Sequence, residues 1–176
     1  RIPGADCDQI TSGIGADRRI APYYFSGGLS FGGTCFPRDT KAFKQIARKH
    51  GLEPSLMEAV DVVNDFQDKN LVAATLRELA SCSNQSVGIM GLAFKDHTPV
   101  ITQSPAIKLI QSLLDKGISV VAYDPMANEA AKVLFGGQIE FVNSAEALLG
   151  MCGLCVVTYR SKAFKTAVEA YAASQK

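Results

Sequence analysis

The sequence lacks a dominant charge and any long apolar run. It carries 18 basic and 17 acidic residues in 176 positions, scattered along the chain, for a formal net charge of +1. A protein that binds nucleic acid or an anionic membrane through its overall charge needs a basic excess, so neither partner is expected. No stretch approaches the roughly 20 apolar residues of a spanning helix, and the first residues carry no signal-peptide pattern. The sequence therefore predicts a soluble, cytoplasmic protein that binds neither membrane nor nucleic acid.

Cysteine and histidine are also scarce. Five cysteines make an odd number, and they are spread through an ordinary composition, which is not typical of a secreted domain stapled by disulfides. Free thiols are therefore expected. Cys152 and Cys155 have the C-x-x-C spacing of half a zinc site or of a redox pair. Because the sequence offers no second half and neither histidine is near, packing of both thiols beside an apolar strand is the favoured interpretation, and no metal is expected.

The hydrophobic pattern predicts a helical part followed by an α/β part. In the first part, helices are predicted near residues 8–12, at 39–49 and at 53–81, with a glycine- and proline-rich loop at 21–37. In the second part, short apolar runs alternate with helical segments: strands at 87–92, 118–123, 139–142 and 154–158, and helices at 104–117, at 127–135 and from 144. This alternation predicts the α/β class, with a parallel sheet flanked by helices and cut off before its last strands.

The helix predicted at 53–81 is long for a small domain. Its apolar stripe consists of leucine and valine residues at helical spacing, namely Leu56, Val60, Val63, Leu71, Leu76 and Leu79. We expect a helix of this length to join two lobes or to pair with a partner subunit.

One cysteine stands between two glycines and a predicted helix, in the run Gly32-Gly33-Thr34-Cys35-Phe36-Pro37-Arg38-Asp39. The N–H groups at a helix amino terminus and the nearby Arg38 favour the thiolate, which is the nucleophilic form of cysteine. Asp39, four residues on, could act as a base or orient water. The residues are equally compatible with Cys35 as a buried small hydrophobe and Asp39 as a helix cap.

The segment Gly32 to Asp39 resembles the nucleophile motif of the UDP-glucose and GDP-mannose 6-dehydrogenase family, which is glycine-glycine-serine-cysteine-phenylalanine-proline-lysine-aspartate. Further segments resemble the family in the same order: Asp17-Arg18-Arg19-Ile20, Val62 to Gln67, Gly91 to Lys95, Ser104-Pro105 and Tyr123-Asp124-Pro125. The resemblance implies a helical dimerisation domain with the cysteine loop at residues 1–82. It also implies an incomplete, Rossmann-like UDP-sugar-binding domain at 83–176, with the amino-terminal NAD-binding domain absent.

A reaction is implied by the same resemblance. Family members oxidise the C6 alcohol of a nucleotide sugar to a carboxylate with two NAD molecules in succession, as in polysaccharide biosynthesis. Cys35 would attack the C6 aldehyde to give a thiohemiacetal, hydride loss would leave a thioester, and Asp39 would help to activate the hydrolytic water. NAD is therefore the implied cofactor, bound mainly by the absent domain. The implied substrate is a nucleotide sugar, a UDP-sugar rather than GDP-mannose.

Substrate contacts are implied residue by residue. The loop that wraps the nucleotide sugar corresponds to Tyr24, Phe25, Ser26, Gly27, Gly28, Phe31 and Gly32. Lys95 corresponds to a lysine that contacts the substrate at the carboxyl end of a strand, where open α/β sheets bind ligands. Arg19 corresponds to an arginine that enters the neighbouring subunit's site, which implies a homodimer through the long helix, and Arg38 replaces a lysine near the cofactor. Taken without the resemblance, Lys95 and Arg19 would be ordinary surface charges.

Some positions depart from the family pattern. Thr102 stands where the family has an arginine that touches NAD, and Thr158-Tyr159-Arg160 replaces threonine-glutamate-tryptophan. These departures concern the cofactor contact and the identity of the sugar, and they leave the nucleophile unaffected. Gly88-x-x-Gly91 together with Asp124 is too incomplete a dinucleotide pattern to predict NAD binding by the second domain.

Two functions are consistent with these residues. The first is a piece of a nucleotide-sugar dehydrogenase, in which the lysine and asparagine that assist Cys35 and the glycine loop for NAD precede Arg1. The chain alone should then turn over no substrate, and NAD reduction by it would contradict this interpretation. The second is a non-catalytic nucleotide-sugar-binding or assembly module. The reactivity of Cys35 toward iodoacetamide separates the two.

Overall fold

A computed structural model describes residues 2–23 and 27–175. Its elements are α1 (Cys7–Gly15), α2 (Cys35–Lys49), α3 (Ser55–Leu79), β1 (Val87–Met90), α4 (Pro105–Leu114), β2 (Val120–Tyr123), α5 (Asn128–Phe135), β3 (Glu140–Phe141), α6 (Ala145–Met151), β4 (Leu154–Val157) and α7 (Lys162–Ser174), with a short 3-10 turn at Gly136–Gln138. Across these residues, no helix has both the length and the apolar character needed to cross a membrane.

The four strands form one parallel sheet in the order β3-β2-β1-β4. Each strand is joined to the next by a helix, as parallel pairing requires. The α/β prediction is therefore confirmed. Because all strands run the same way, their carboxyl ends meet at one edge of the sheet, which is where ligands bind in folds of this kind.

Helices cover both faces of the sheet. Side chains of a strand alternate between faces, so Ile89 belongs to a core cluster with α4, α5 and the end of α3, whereas Met90 belongs to a second cluster with α6 and α7. β1 is buried along its whole length, as expected for an apolar strand at the centre of a parallel sheet.

The two halves of the long helix α3 differ in the burial of their apolar side chains. Leu71, Leu76 and Leu79 pack against the core of the sheet, so this half joins the helical part to the α/β part. Leu56 and Val63, in the other half, are 73% and 58% exposed. The apolar stripe predicted from the sequence is therefore buried within the chain only toward its carboxyl end.

The start of α2 differs from the prediction. The sequence pattern predicts a loop as far as Pro37 and a helix from Asp39, but α2 begins at Cys35. Pro37 is the third residue of the helix, where the missing N–H costs nothing because the first four N–H groups of a helix have no partner within it. Cys35 therefore lies in the first turn and Asp39 one turn later. The sequence pattern does not predict α7.

Candidate active site

The turn before Cys35 is docked against the α/β part by its backbone. The N–H of Gly33 donates to the carbonyl of Thr102 at 2.8 Å, and Gly33 has a φ of +86°. A Cβ atom on Gly32 would lie 2.1 Å from the carbonyl oxygen of Gln103, and one on Gly33 would lie 2.7 Å from the ring of Phe94. Both positions therefore require glycine, for close approach at Gly32 and for close approach and a positive φ at Gly33.

Cys35 is exposed and is the first residue of α2. It is therefore not the buried small hydrophobe of the alternative interpretation. Its sulfur lies 3.8 Å from the hydroxyl oxygen of Thr34. The first turn of α2 contains no acidic residue, so the free N–H groups of the helix terminus provide a positive potential beside the thiol.

Arg38 and Asp39 form an ion pair beside this thiol. Nε of Arg38 donates to Oδ1 of Asp39 at 2.8 Å. This hydrogen bond and the charge of Asp39 raise the pKa of Arg38, and the negative charge of the Cys35 thiolate contributes further. Asp39 follows Cys35 by four residues in the same helix, so the two lie on one helix face.

A large cleft lies at the carboxyl ends of β1 and β4. It encloses about 1120 Å³ and has a mostly apolar lining that includes the aromatic side chains Phe94, Tyr159 and Phe164. Three residues predicted from the family resemblance also line it, namely Gly27, Gly28 and Lys95. The ammonium group of Lys95 lies 5.4 Å from the centre of the Phe94 ring, which suits a cation–π contact.

The other predicted residues are placed elsewhere. In the part of the chain that the structure describes, Cys35, Phe31 and Arg19 do not line this cleft. Cys35 is connected to it through Gly33, whose backbone lies against Phe94. Arg19 is exposed and paired with Asp17 at 2.6 Å, which raises the pKa of Arg19.

Tyr24, Phe25 and Ser26, which the resemblance also implies in the substrate loop, lie outside the described residues.

Three polar side chains that contact residues 30–31 or one another, beside the cleft, are not predicted from the sequence. Asn64 and Asp68, one turn apart on α3, hydrogen-bond to Phe31 and Ser30, and Lys108 of α4 binds Asp68 at 2.7 Å. Asn64 lies in a segment already singled out for its resemblance to the family. A signal was available, because asparagine is unfavourable inside a helix unless its side chain has a partner.

Asp124 is a buried structural carboxylate. Its side chain is the acceptor for two backbone N–H groups after β1, for two at the start of α5 and for the hydroxyl of Tyr159. Burial and the neighbouring carboxylate raise the pKa of Tyr159, which therefore remains a donor. With both oxygens engaged and 1% of its surface exposed, Asp124 has no free acceptor for a ribose hydroxyl. The described residues thus do not fit NAD at the end of β2.

Cys152 and Cys155 are half-buried and pack against the core cluster that contains α6 and α7. A hydrogen bond with the Cys155 thiol lowers the pKa of Cys152 to about 7, whereas the same pairing raises that of Cys155. Within residues 2–23 and 27–175, no group of three or more histidine, cysteine, aspartate or glutamate side chains is arranged to hold a metal ion.

Two family models match the chain. Residues 1–66 match the central domain of the UDP-glucose/GDP-mannose dehydrogenase family, and residues 88–175 match the UDP binding domain of the same family. The structure of a UDP-glucose dehydrogenase from Pyrobaculum islandicum superposes with a TM-score of 0.83 at 34% identity, covering 89% of this chain and 36% of that one.

Curated relatives agree with the family models. UDP-glucose 6-dehydrogenase AglM of Haloferax volcanii is 41% identical over 145 residues, and TuaD of Bacillus subtilis is 35% identical over 154 residues. These matches cover 82% and 88% of this chain, respectively, but the chain spans only 33% of either relative. From the matched domains and the shared fold, the chain belongs to the UDP-glucose/GDP-mannose dehydrogenase family.

Proposed function

We propose that this chain is the part of an NAD-dependent nucleotide-sugar 6-dehydrogenase that carries the nucleophile and binds the nucleotide sugar. The observation that carries the proposal is the position of Cys35. Its exposed thiol begins a helix, and the glycine turn before it docks on the segment from Phe94 to Gln103. Phe94 also lines the cleft at the carboxyl ends of the strands. The same residue therefore contacts both the turn that carries the nucleophile and the cleft that binds the ligand.

The chemical step assigned to this chain is addition of the thiolate to a sugar aldehyde. The Cys35 sulfur forms a bond to C6, the carbonyl π electrons move to the oxygen, and that oxygen takes a proton to complete a thiohemiacetal. The N–H groups at the start of α2 place a positive potential beside the attacking sulfur. Asp39, on the same helix face, is proposed to orient the water that later hydrolyses the oxidised adduct.

The oxidation itself requires NAD, and among the described residues the end of β2 does not fit this cofactor. The sequence contains no G-x-G-x-x-G run, and Asp124 is fully engaged. We therefore assign no hydride-transfer step to these residues, and the 176-residue chain alone is not expected to turn over substrate. Arg38 remains the proposed contact to a cofactor held outside them.

The ligand of the cleft is proposed to be a UDP-sugar. Positively charged side chains, including Lys95, Arg160 and Lys162, lie around its apolar lining, an arrangement that suits a base attached to a diphosphate.

Dimerisation through α3 is also proposed, with Arg19 entering the partner's site. Its support is the exposed apolar half of α3, where Leu56, Val62, Val63 and Phe66 are each more than half exposed, as expected of an interface core.

Binding of UDP-glucose to the chain, measured by calorimetry, tests the proposal. We expect Lys95→Ala to weaken binding about tenfold, because a charge-assisted contact contributes roughly 1.5 kcal/mol. Lys116→Ala is the matched control, since Lys116 is an exposed lysine that does not line the cleft. No binding by the unmodified chain, or equal losses in both variants, would contradict the proposed site.

A further inference from the structure

We infer that Asn64 and Asp68 are positioning residues that set the conformation of the cleft loop, defined here as residues 27–31. This inference rests on the proposed function, since it concerns how the same cleft binds its nucleotide sugar. Gly27 to Ser30 line the cleft, and the loop has neither helix nor strand of its own to hold it. Its position must therefore be set by contacts with neighbouring elements.

Asn64 binds both backbone groups of one loop residue. The N–H of Phe31 donates to Oδ1 of Asn64 at 2.7 Å, and Nδ2 of Asn64 donates to the carbonyl of Phe31 at 3.1 Å. A backbone N–H or C=O that leaves water needs a partner. The asparagine amide supplies a donor and an acceptor at once, as a neighbouring β-strand would.

Asn64 and Asp68 together form a clamp on the cleft loop, because Asp68 contacts the loop one helical turn further along α3. It accepts a hydrogen bond from the hydroxyl of Ser30, and its other oxygen accepts from Lys108 of α4 at 2.7 Å. Ser30 is buried, and the side chains of Asp68 and Lys108 are only 17% and 32% exposed. The loop is thus tied through α3 to the helix that begins at the edge of the cleft, where Pro105 is a lining residue.

The two residues lie at i and i+4 on α3 and face the loop together. Neither lines the cleft, in the part of the chain that the structure describes. Their effect on a ligand must therefore be indirect and act through the loop backbone. Loss of the clamp should reduce ligand affinity, because the loop would have to be ordered at the moment of binding.

The first measurement is the dissociation constant for UDP-glucose with the complete chain. We expect Asn64→Ala to raise it about tenfold, for the loss of two hydrogen bonds. Asn70→Ala is the matched control, because Asn70 is an exposed asparagine of the same helix. Equal affinity of the Asn64→Ala variant and the unmodified chain would overturn the inference.

A pH profile separates positioning from general destabilisation. At about pH 7 the variant Asn64→Asp carries a carboxylate that repels the carbonyl of Phe31, but a protonated carboxyl has one donor and one acceptor, as the amide has. The ratio of its dissociation constant to that of the unmodified chain should fall as the pH is lowered toward about 5, and the ratio for Asn64→Ala should stay constant. A constant ratio for both variants would count against the clamp.

Amide hydrogen exchange without ligand keeps this test separate from the proposed function. The Phe31 amide should exchange faster in Asn64→Ala while core amides such as that of Ile89 do not change. If UDP-glucose fails to bind the unmodified chain but this local acceleration occurs, the proposed function fails and the clamp stands. If Phe31 exchange is unaltered, the clamp itself is refuted.

Discussion

Replacing Cys35 with alanine is expected to abolish the preference of the chain for the C6 aldehyde of UDP-glucose over the alcohol. In the unmodified chain the aldehyde should bind about a hundredfold more tightly, or by about 2.7 kcal/mol, because it can form a thiohemiacetal with the thiolate. Without the sulfur both ligands make only the non-covalent contacts of the cleft. Calorimetry with the two ligands on both proteins measures the effect.

Cys82→Ala is the control for this experiment. Cys82 is a half-buried thiol just after α3 and does not line the cleft, so the preference for the aldehyde should survive its removal. A non-catalytic binding module would bind the aldehyde and the alcohol alike before any substitution. That result would favour the alternative function and exclude Cys35 as the nucleophile.

Replacing Asp124 with asparagine should lower the free energy of unfolding more than the replacement of Tyr159 or Asp115 does. One carboxylate oxygen accepts from the N–H groups of Met126 and Ala127, and the other accepts from those of Leu92 and Ala93. An asparagine NH₂ would face two backbone donors in either orientation, leaving buried donors unpaired. We expect the free energy of unfolding to fall by about 3 kcal/mol, measured by urea denaturation.

Two further variants provide a comparison for the expected change in the free energy of unfolding. Tyr159→Phe removes one donor to the same carboxylate and should cost about 1 kcal/mol. Asp115→Asn changes an exposed carboxylate at the end of α4 and should cost less than about 0.5 kcal/mol. If Asp124→Asn were as mild as Asp115→Asn, the description of Asp124 as the buried link between β1, α5 and Tyr159 would be wrong.

The α/β part could be predicted from the sequence because its signals are local. Val87 to Met90 and Val120 to Tyr123 are short apolar runs, and Ser104-Pro105 is a strong helix start in which the serine side chain caps the first turn. Parallel pairing then follows from the crossover helix between the strands. These features need no knowledge of distant contacts.

The sequence pattern places the start of α2 incorrectly, because proline and glycine usually indicate a loop. The glycines do belong to a turn, but Pro37 is compatible with a first helical turn. The docking of that turn could not be derived from the sequence at all. It depends on Thr102 and Gln103, about seventy residues further along the chain.

The clamp on the cleft loop also depends on residues that are distant in the sequence, although an asparagine inside a helix is a signal that its side chain has a partner. Phe31 and Asn64 are 33 residues apart, and Lys108 is 40 residues from Asp68. The helical pattern of the sequence predicts that Asn64 and Asp68 are exposed, because polar residues usually occupy the solvent face of a helix. Only the packing of the loop and α4 against α3 gives them buried partners.

The rate of iodoacetamide labelling at Cys35, compared with Cys7 by peptide mass spectrometry, tests the central claim most directly. Each thiol is exposed and is the first residue of a helix. They differ in charge, because Cys7 has Asp6 as the helix cap and Asp8 in the first turn, whereas Cys35 has no acid in its first turn and lies near the Arg38–Asp39 ion pair. We predict that Cys35 reacts about ten times faster than Cys7, since no carboxylate in the first turn offsets the positive potential of the helix terminus beside Cys35, and that UDP-glucose slows the labelling of Cys35. Equal rates without protection by the nucleotide sugar would contradict a nucleophilic role for Cys35.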